Sequence, residues 1–103
     1  MDELILAMLA ASVEEGTIVW SNHYLMRIFE RNVPDRRQVR YLLGDDEPEI
    51  IERGKRSCLV WSIMDSGRCA HLVCSWPPNP VMITAYWPDT EPSRWVDNYK
   101  RRA

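Results

Sequence analysis

An α+β fold is predicted for this chain: N-terminal helices packed on one face of a four-stranded antiparallel sheet, followed by a short C-terminal helix or tail. Three observations carry it. Apolar residues recur at helical spacing up to about residue 43. After that the period changes to two, in β-branched and aromatic segments. Turn-forming clusters at Gly54-Lys55, Asp65-Ser66-Gly67 and Pro77-Pro78-Asn79-Pro80 then separate four such segments. With 103 residues the chain suits one domain with one core.

The first helix is predicted over the apolar run Leu4 to Val13, with Leu4, Met8 and Ala11 or Val13 on its packing side and Gly16 just past its end. Asp2 and Glu3 precede that run where a signal peptide carries positive charge, and the run is too short to span a bilayer, so no membrane association is expected. Thr17-Ile18-Val19-Trp20 is a β-prone link. Ser21 or Asn22 can cap a second helix from about His23 to Arg31, packing through Tyr24, Leu25, Ile28 and Phe29. Pro34 opens a third, where Asp35 suits the positive end of the dipole, and Val39, Leu42 and Leu43 face inward before Gly44.

The strands are Glu49 to Glu52, Ser57 to Met64, Arg68 to Trp76 and Val81 to Trp87. The proline-rich break before the last of them follows from proline's missing N–H. A two-residue turn at Ser66-Gly67 would set Ser62 opposite His71 and Trp61 opposite Leu72. Leu59, Trp61, Ile63, Leu72 and Cys74 would then lie on the helices, leaving Ser62 and His71 on the other face. Alternation adds Thr84 and Tyr86 to the His71 side. Ser93 to Arg102 is expected to form a short helix or an ordered tail that pins Trp95 and Tyr99.

The net charge of -2 hides an uneven distribution: residues 1–20 carry -4, residues 21–43 carry +3, and the tail from Glu91 carries +2. A phosphate could be held locally, but broad attraction to nucleic acid would be weak. Cys58, Cys69 and Cys74 are odd in number and lack framework spacing, which points to reduced thiols and a cytoplasmic setting. In a strand Cys69 and His71 share one face and Cys74 takes the other, so the three do not converge on a zinc ion. No metal or cofactor is expected.

His23, Arg27 and Arg31 stand four apart and form a cationic stripe along one helix face. The chain has only two histidines, His23 and His71, to move protons near neutral pH. The ordered set Ser21-x-His23-x3-Arg27-x3-Arg31, then Arg68-x2-His71-Leu-Val, then Ile83-Thr-Ala-Tyr86-x-Pro-Asp89, and Trp95 before Arg101-Arg102 resembles the bacterial domain of unknown function 4258 family over roughly Ile18 to Arg102. That family is in turn similar to small ribonuclease toxins of the RelE and colicin-tRNase type.

The resemblance implies a metal-independent endoribonuclease, with RNA as substrate and an antitoxin protein as partner; self-association into a homo-oligomer also fits. Such cleavage removes a proton from the ribose 2′-OH, stabilises a phosphorane-like transition state and protonates the leaving 5′ oxygen. The expected catalytic set is His71 and His23 as proton carriers, Arg27 and Arg31 on the phosphate, and Tyr86 as an orienting or stacking group. Ser62, Thr84, Trp95 and Arg101 are expected to contact substrate.

Plainer alternatives stand beside each role. His23 could help cap its helix, Arg27 and Arg31 could pair with Glu30, Asp35 or the stretch Asp45 to Glu49, and His71 could be a satisfied structural histidine. Tyr86 and Trp95 could be core groups, and Arg101 could merely solvate the terminus. The rival function is a non-catalytic module of the same fold that binds a protein or a small anion.

Overall fold

The computed structural model describes residues 1–30, 32–44 and 47–103. Three helices come first: α1 (Asp2–Glu14), α2 (Asn22–Phe29) and α3 (Arg36–Gly44). Gly16, at φ +74°, ends the α1 segment in the left-handed conformation that glycine adopts without a Cβ clash. The buried side of α1 is Leu9 and Ser12, whereas Leu4 and Ala11 are exposed. The expected face was thus rotated, because α1 is apolar nearly all round and offers little periodicity to orient it.

α2 is capped by Ser21, whose Oγ accepts from the Tyr24 N–H at 3.0 Å. Tyr24 is fully buried, but Leu25 and Phe29, expected to pack, face outward, and Phe29 is 91% exposed. Asp35 stands just before α3 and forms a reciprocal capping box: its Oδ1 accepts from the Gln38 N–H and its own N–H donates to Gln38 Oε1, both at 2.9 Å. Val39, Leu42 and Leu43 are buried as predicted.

Among the described residues the main sheet has five strands, in the order β1-β5-β4-β3-β2, from β1 (Val19–Trp20), β2 (Glu49–Arg53), β3 (Ser57–Ile63), β4 (Cys69–Ser75) and β5 (Val81–Tyr86). β2 to β5 form the expected antiparallel meander. β1 adds a fifth strand parallel to β5, so the sheet is mixed; the Val19 N–H donates to Pro80 O and the Ser21 N–H to Met82 O, both at 3.1 Å. Two residues are too few to show alternation, which is why a β-prone link was all the sequence offered there.

The β3–β4 turn holds three residues. The Met64 N–H donates to Arg68 O, the Gly67 N–H to Met64 O, and Gly67 sits at φ +92°. Trp61 therefore pairs with His71 and Ser62 with Ala70, one residue away from the predicted register. Such a slip turns every side chain of one strand over. Cys58, Val60, Ala70, Leu72, Cys74, Met82 and Ala85 meet Leu9, Tyr24, Val39 and Leu42 in one core. Leu59, Trp61, Cys69 and His71 face away from it.

Ser62 is thus removed from the expected substrate side. It lies fully buried under α3, donating its Oγ hydrogen to Leu42 O at 2.7 Å. That carbonyl belongs to the last turn of α3, where it lacks an intrahelical partner. Ser62→Ala is expected to lower stability by about 1–2 kcal/mol in urea unfolding, the usual range for stranding a buried acceptor.

The C-terminal segment covers the other face of the sheet. Two 3₁₀ turns (Pro88–Thr90 and Pro92–Arg94) lead into a small ribbon of β6 (Trp95–Val96) and β7 (Arg101–Arg102), where a short helix or an ordered tail had been expected; Trp95 is buried there, as the latter implied. Asp97, Asn98 and Tyr99 follow one another at φ +55°, +56° and +66°. A left-handed non-glycine residue costs roughly 1–2 kcal/mol, so this corner must be held by its contacts. Asn98 O accepts from Trp61 Nε1 at 2.9 Å, and Lys100 Nζ lies 4.2 Å from the Trp61 ring centre. Ion pairs of Arg68 with Asp89, Lys100 with Glu49 and Arg102 with Glu52 fasten the segment's edges.

Candidate functional site

The placement of α2 begins with Ser21. Its hydroxyl caps the helix and also donates to Ile83 O at 2.6 Å, so the N-terminal turn of α2 is pinned to β5. His23 and Arg27 then stand beside Thr84 and Tyr86. Together they line a hollow of about 440 Å³, which Trp95 of β6 also lines. Five of the predicted site residues are therefore brought together. Arg31, the last of the stripe, lies outside the described residues, as do Asp45 and Asp46 of the acidic stretch.

The hollow also takes in Arg94 and Arg102, two residues that the sequence reading did not assign to the site. Arg101, the predicted neighbour, points elsewhere: its side chain is 71% exposed and sits 3.6 Å from Asp97. The only available signal for Arg102 was strand alternation in a ribbon too short to be recognised. Arg94 follows two prolines that fold the chain back, a path that spacing alone does not reveal.

Among the described residues, three guanidinium groups thus face one cavity against a single lining carboxylate, Glu91. Each already has an acidic partner. Arg27 is 3.3 Å from Glu30, Arg94 is 2.7 Å from Glu91, and Arg102 grips both oxygens of Glu52 at 2.6 and 3.0 Å. The Glu52 hydrogen bond raises the Arg102 pKa further above its ordinary value. The pairs of Arg27 and Arg94 are exposed and weak, typically ~0–1 kcal/mol each, so an incoming phosphate can exchange for them.

His71 does not reach the hollow. Its ring is 0% exposed, sealed under Trp95 at a centroid distance of 4.3 Å and beside Tyr86 at 5.2 Å. Its Nε2 lies 2.7 Å from Tyr99 O and its Nδ1 lies 3.1 Å from Tyr86 Oη. A carbonyl can only accept, so Nε2 carries the hydrogen and Nδ1 accepts from the tyrosine hydroxyl. Burial pulls the His71 pKa below its ordinary value, the Tyr99 carbonyl opposes this in part, and burial raises Tyr86. Direct contact between His71 and a substrate in the hollow, as the sequence suggested, is incompatible with this packing. The solvent-facing imidazole at the rim is that of His23.

The cysteines are free and buried. Cys58 and Cys74 lie directly opposite each other on the core side. Burial pushes the Cys58 thiol up to about 11 and raises Cys69 and Cys74 too, which leaves them poor thiolates at neutral pH. Among the described residues no group of three His, Cys, Asp or Glu side chains is arranged to hold a metal ion, and no helix is long and apolar enough to cross a membrane.

No curated protein and no solved structure matches the chain. A family model does, over residues 20–87. The match takes in His23, Arg27, His71, Thr84 and Tyr86, whereas Arg94, Trp95 and Arg102 stand beyond its end. Because it spans well over half of the sequence, the chain belongs to the family described as a Domain of unknown function (DUF4258).

Proposed function

We propose that this protein is a metal-independent endoribonuclease that holds a phosphodiester of RNA in the hollow between α2, β5 and the C-terminal ribbon. The observation that supports it best is the convergence of Arg27, Arg94 and Arg102 with the accessible His23 on one cavity of about 440 Å³, floored by Thr84 and Tyr86. Planar guanidinium forks keep their charge and offer several donors to a phosphorane-like transition state. His23 carries the proton for the leaving 5′ oxygen. The similarity that the sequence reading expects between this family and ribonuclease toxins of the RelE and colicin type extends the proposal to a cytoplasmic toxin with an antitoxin protein as partner.

The second reading, a non-catalytic module that binds an anion or a protein, is favoured by one observation: the second histidine is sealed away, and an acid and a base are both needed for cleavage. Incubation of purified protein with single-stranded RNA in the presence of a chelator separates the two. The nuclease reading expects fragments ending in a 2′,3′-cyclic phosphate, and a 10²- to 10⁴-fold slower reaction in His23→Ala, the usual contribution of a positioned proton carrier. Intact RNA that is nevertheless bound would establish the module instead.

A further inference from the structure

Cleavage by 2′-OH attack needs a proton acceptor as well as a donor, and His23 supplies only one of the two. The hollow has a second route for a proton. Tyr86 lines it and is partly buried, and its hydroxyl donates inward to His71 Nδ1 at 3.1 Å. On the far side of the ring, the Nε2–H donates to Tyr99 O at 2.7 Å. The chain of groups is thus hollow, tyrosine hydroxyl, neutral imidazole, backbone carbonyl. Its polarity is set at the carbonyl end, which cannot donate. This is a nucleophile-side hydroxyl held by a base that is itself oriented by a third group, the general logic of activated hydroxyls.

The surroundings fit a positioned relay. The carbonyl of Tyr99 is aimed at the ring by the left-handed run Asp97 to Tyr99, an unfavourable conformation kept in place by the Asn98 contact to Trp61. Trp95 closes the ring off from water. Among the described residues, the charges that act on it are Glu52 of β2 and Arg102 of β7, which are opposite in sign, paired with each other and opposed in their effect on the imidazole. Among the described residues no buried side-chain polar atom lacks a partner.

We infer that Tyr86 is the general base of the cleavage and that His71 is a positioning residue which takes the tyrosine proton through Nδ1. This deepens the endoribonuclease reading and rests on it. In the step proposed, the 2′-oxygen bonds to phosphorus as its hydrogen passes to Tyr86 Oη. The tyrosine hydrogen passes at the same time to His71 Nδ1. The P–O5′ bond breaks, and the leaving oxygen takes a proton from His23. The products are a 2′,3′-cyclic phosphate and a 5′-hydroxyl; His71 ends as an imidazolium and His23 as a neutral ring.

The test compares wild type, Tyr86→Phe, His71→Asn and the double variant in cleavage of a short single-stranded RNA between pH 5 and 9. Binding of its uncleavable 2′-deoxy counterpart and thermal melting are measured on the same samples. Asparagine keeps an acceptor near the Nδ1 position but cannot take up a proton. Each single variant is expected to lower kcat at least 10²-fold with binding of the 2′-deoxy strand changed less than twofold. The double variant should be no slower than the slower single one, because the two groups act as a unit. The acid limb of the wild-type pH profile should vanish from the residual activity.

Full activity in either folded single variant, additive losses in the double, or an unaltered acid limb would overturn the relay while leaving the nuclease reading intact. Wild-type protein that binds the strand and never cuts it would overturn both. Nitrogen chemical shifts of His71 give a readout independent of activity and of folding yield in the variants: a protonated Nδ1 in the resting protein at neutral pH would overturn the relay alone.

Discussion

Replacing Tyr24 by alanine is expected to cost about 3–5 kcal/mol of folding stability, the range for truncating a buried aromatic. Tyr24 is fully buried, and it joins three segments at once. Its backbone N–H donates to the capping Ser21 Oγ, its ring stacks on Trp20 of β1 at 5.4 Å, and its hydroxyl donates to Pro34 O at 2.8 Å, just before α3. Alanine would leave a void between α2 and the sheet and strand the Pro34 carbonyl as well. Tyr24→Phe removes the hydrogen bond alone and should cost about 1–2 kcal/mol. Urea unfolding with an unchanged slope measures both. An alanine variant within 1 kcal/mol of wild type would show that α2, and with it the His23–Arg27 stripe, is not held by this residue.

The same neighbourhood shows what could be read from the chain. The Ser21 cap, Pro34 and periodicity located α2 and α3 to within a residue or two, although Asp35, expected just inside α3 as a partner for its dipole, stands before the helix and caps it. The antiparallel order of β2 to β5 followed from turn residues between consecutive strands. The register of β3 on β4 did not follow, because Asp65-Ser66-Gly67 accommodates a turn of either two or three residues, and one residue decides which face Ser62 and Trp61 take. A bulge at Ile83 restores Met82 to the core beside Ala85, another shift that alternation alone misses.

At the site, the sequence indicated the parts that regular elements carry. His23 and Arg27 share a helix face, and Thr84 and Tyr86 share a strand face with His71; all five kept those relations. Ser62 was lost to the register of β3 on β4, and the other failures come from the segment after Trp87. Its path depends on long-range contacts such as Asn98 with Trp61 and Arg102 with Glu52, which no local pattern announces. That segment contributes Arg94 and Arg102 to the hollow. It also roofs His71, and so buries an imidazole that strand alternation alone leaves on an open face.

The roof itself can be tested through pH. Trp95→Ala is expected to cost about 3–5 kcal/mol at neutral pH, since the indole is 8% exposed and packs edge-on against His71. The loss should shrink in acid, for the following reason. Burial holds the native His71 pKa below the value of about 6.5 that a histidine has in the unfolded chain. Above pH 6.5 the ring is neutral in both states and its burial carries no protonation penalty. As pH falls below that point the unfolded chain binds the proton first, and stability drops by up to ~1.4 kcal/mol per unit until the native ring also protonates. With Trp95 removed, water reaches the imidazole, the native pKa returns toward its ordinary range and this part of the slope disappears. In a His71→Asn background there is no ring to titrate, so Trp95→Ala should shift stability equally at pH 7 and pH 5. Guanidinium unfolding of the four proteins at the two pH values completes the comparison. An identical acid slope with and without the indole would mean that His71 is desolvated by the rest of the strap, and that Trp95 contributes packing alone.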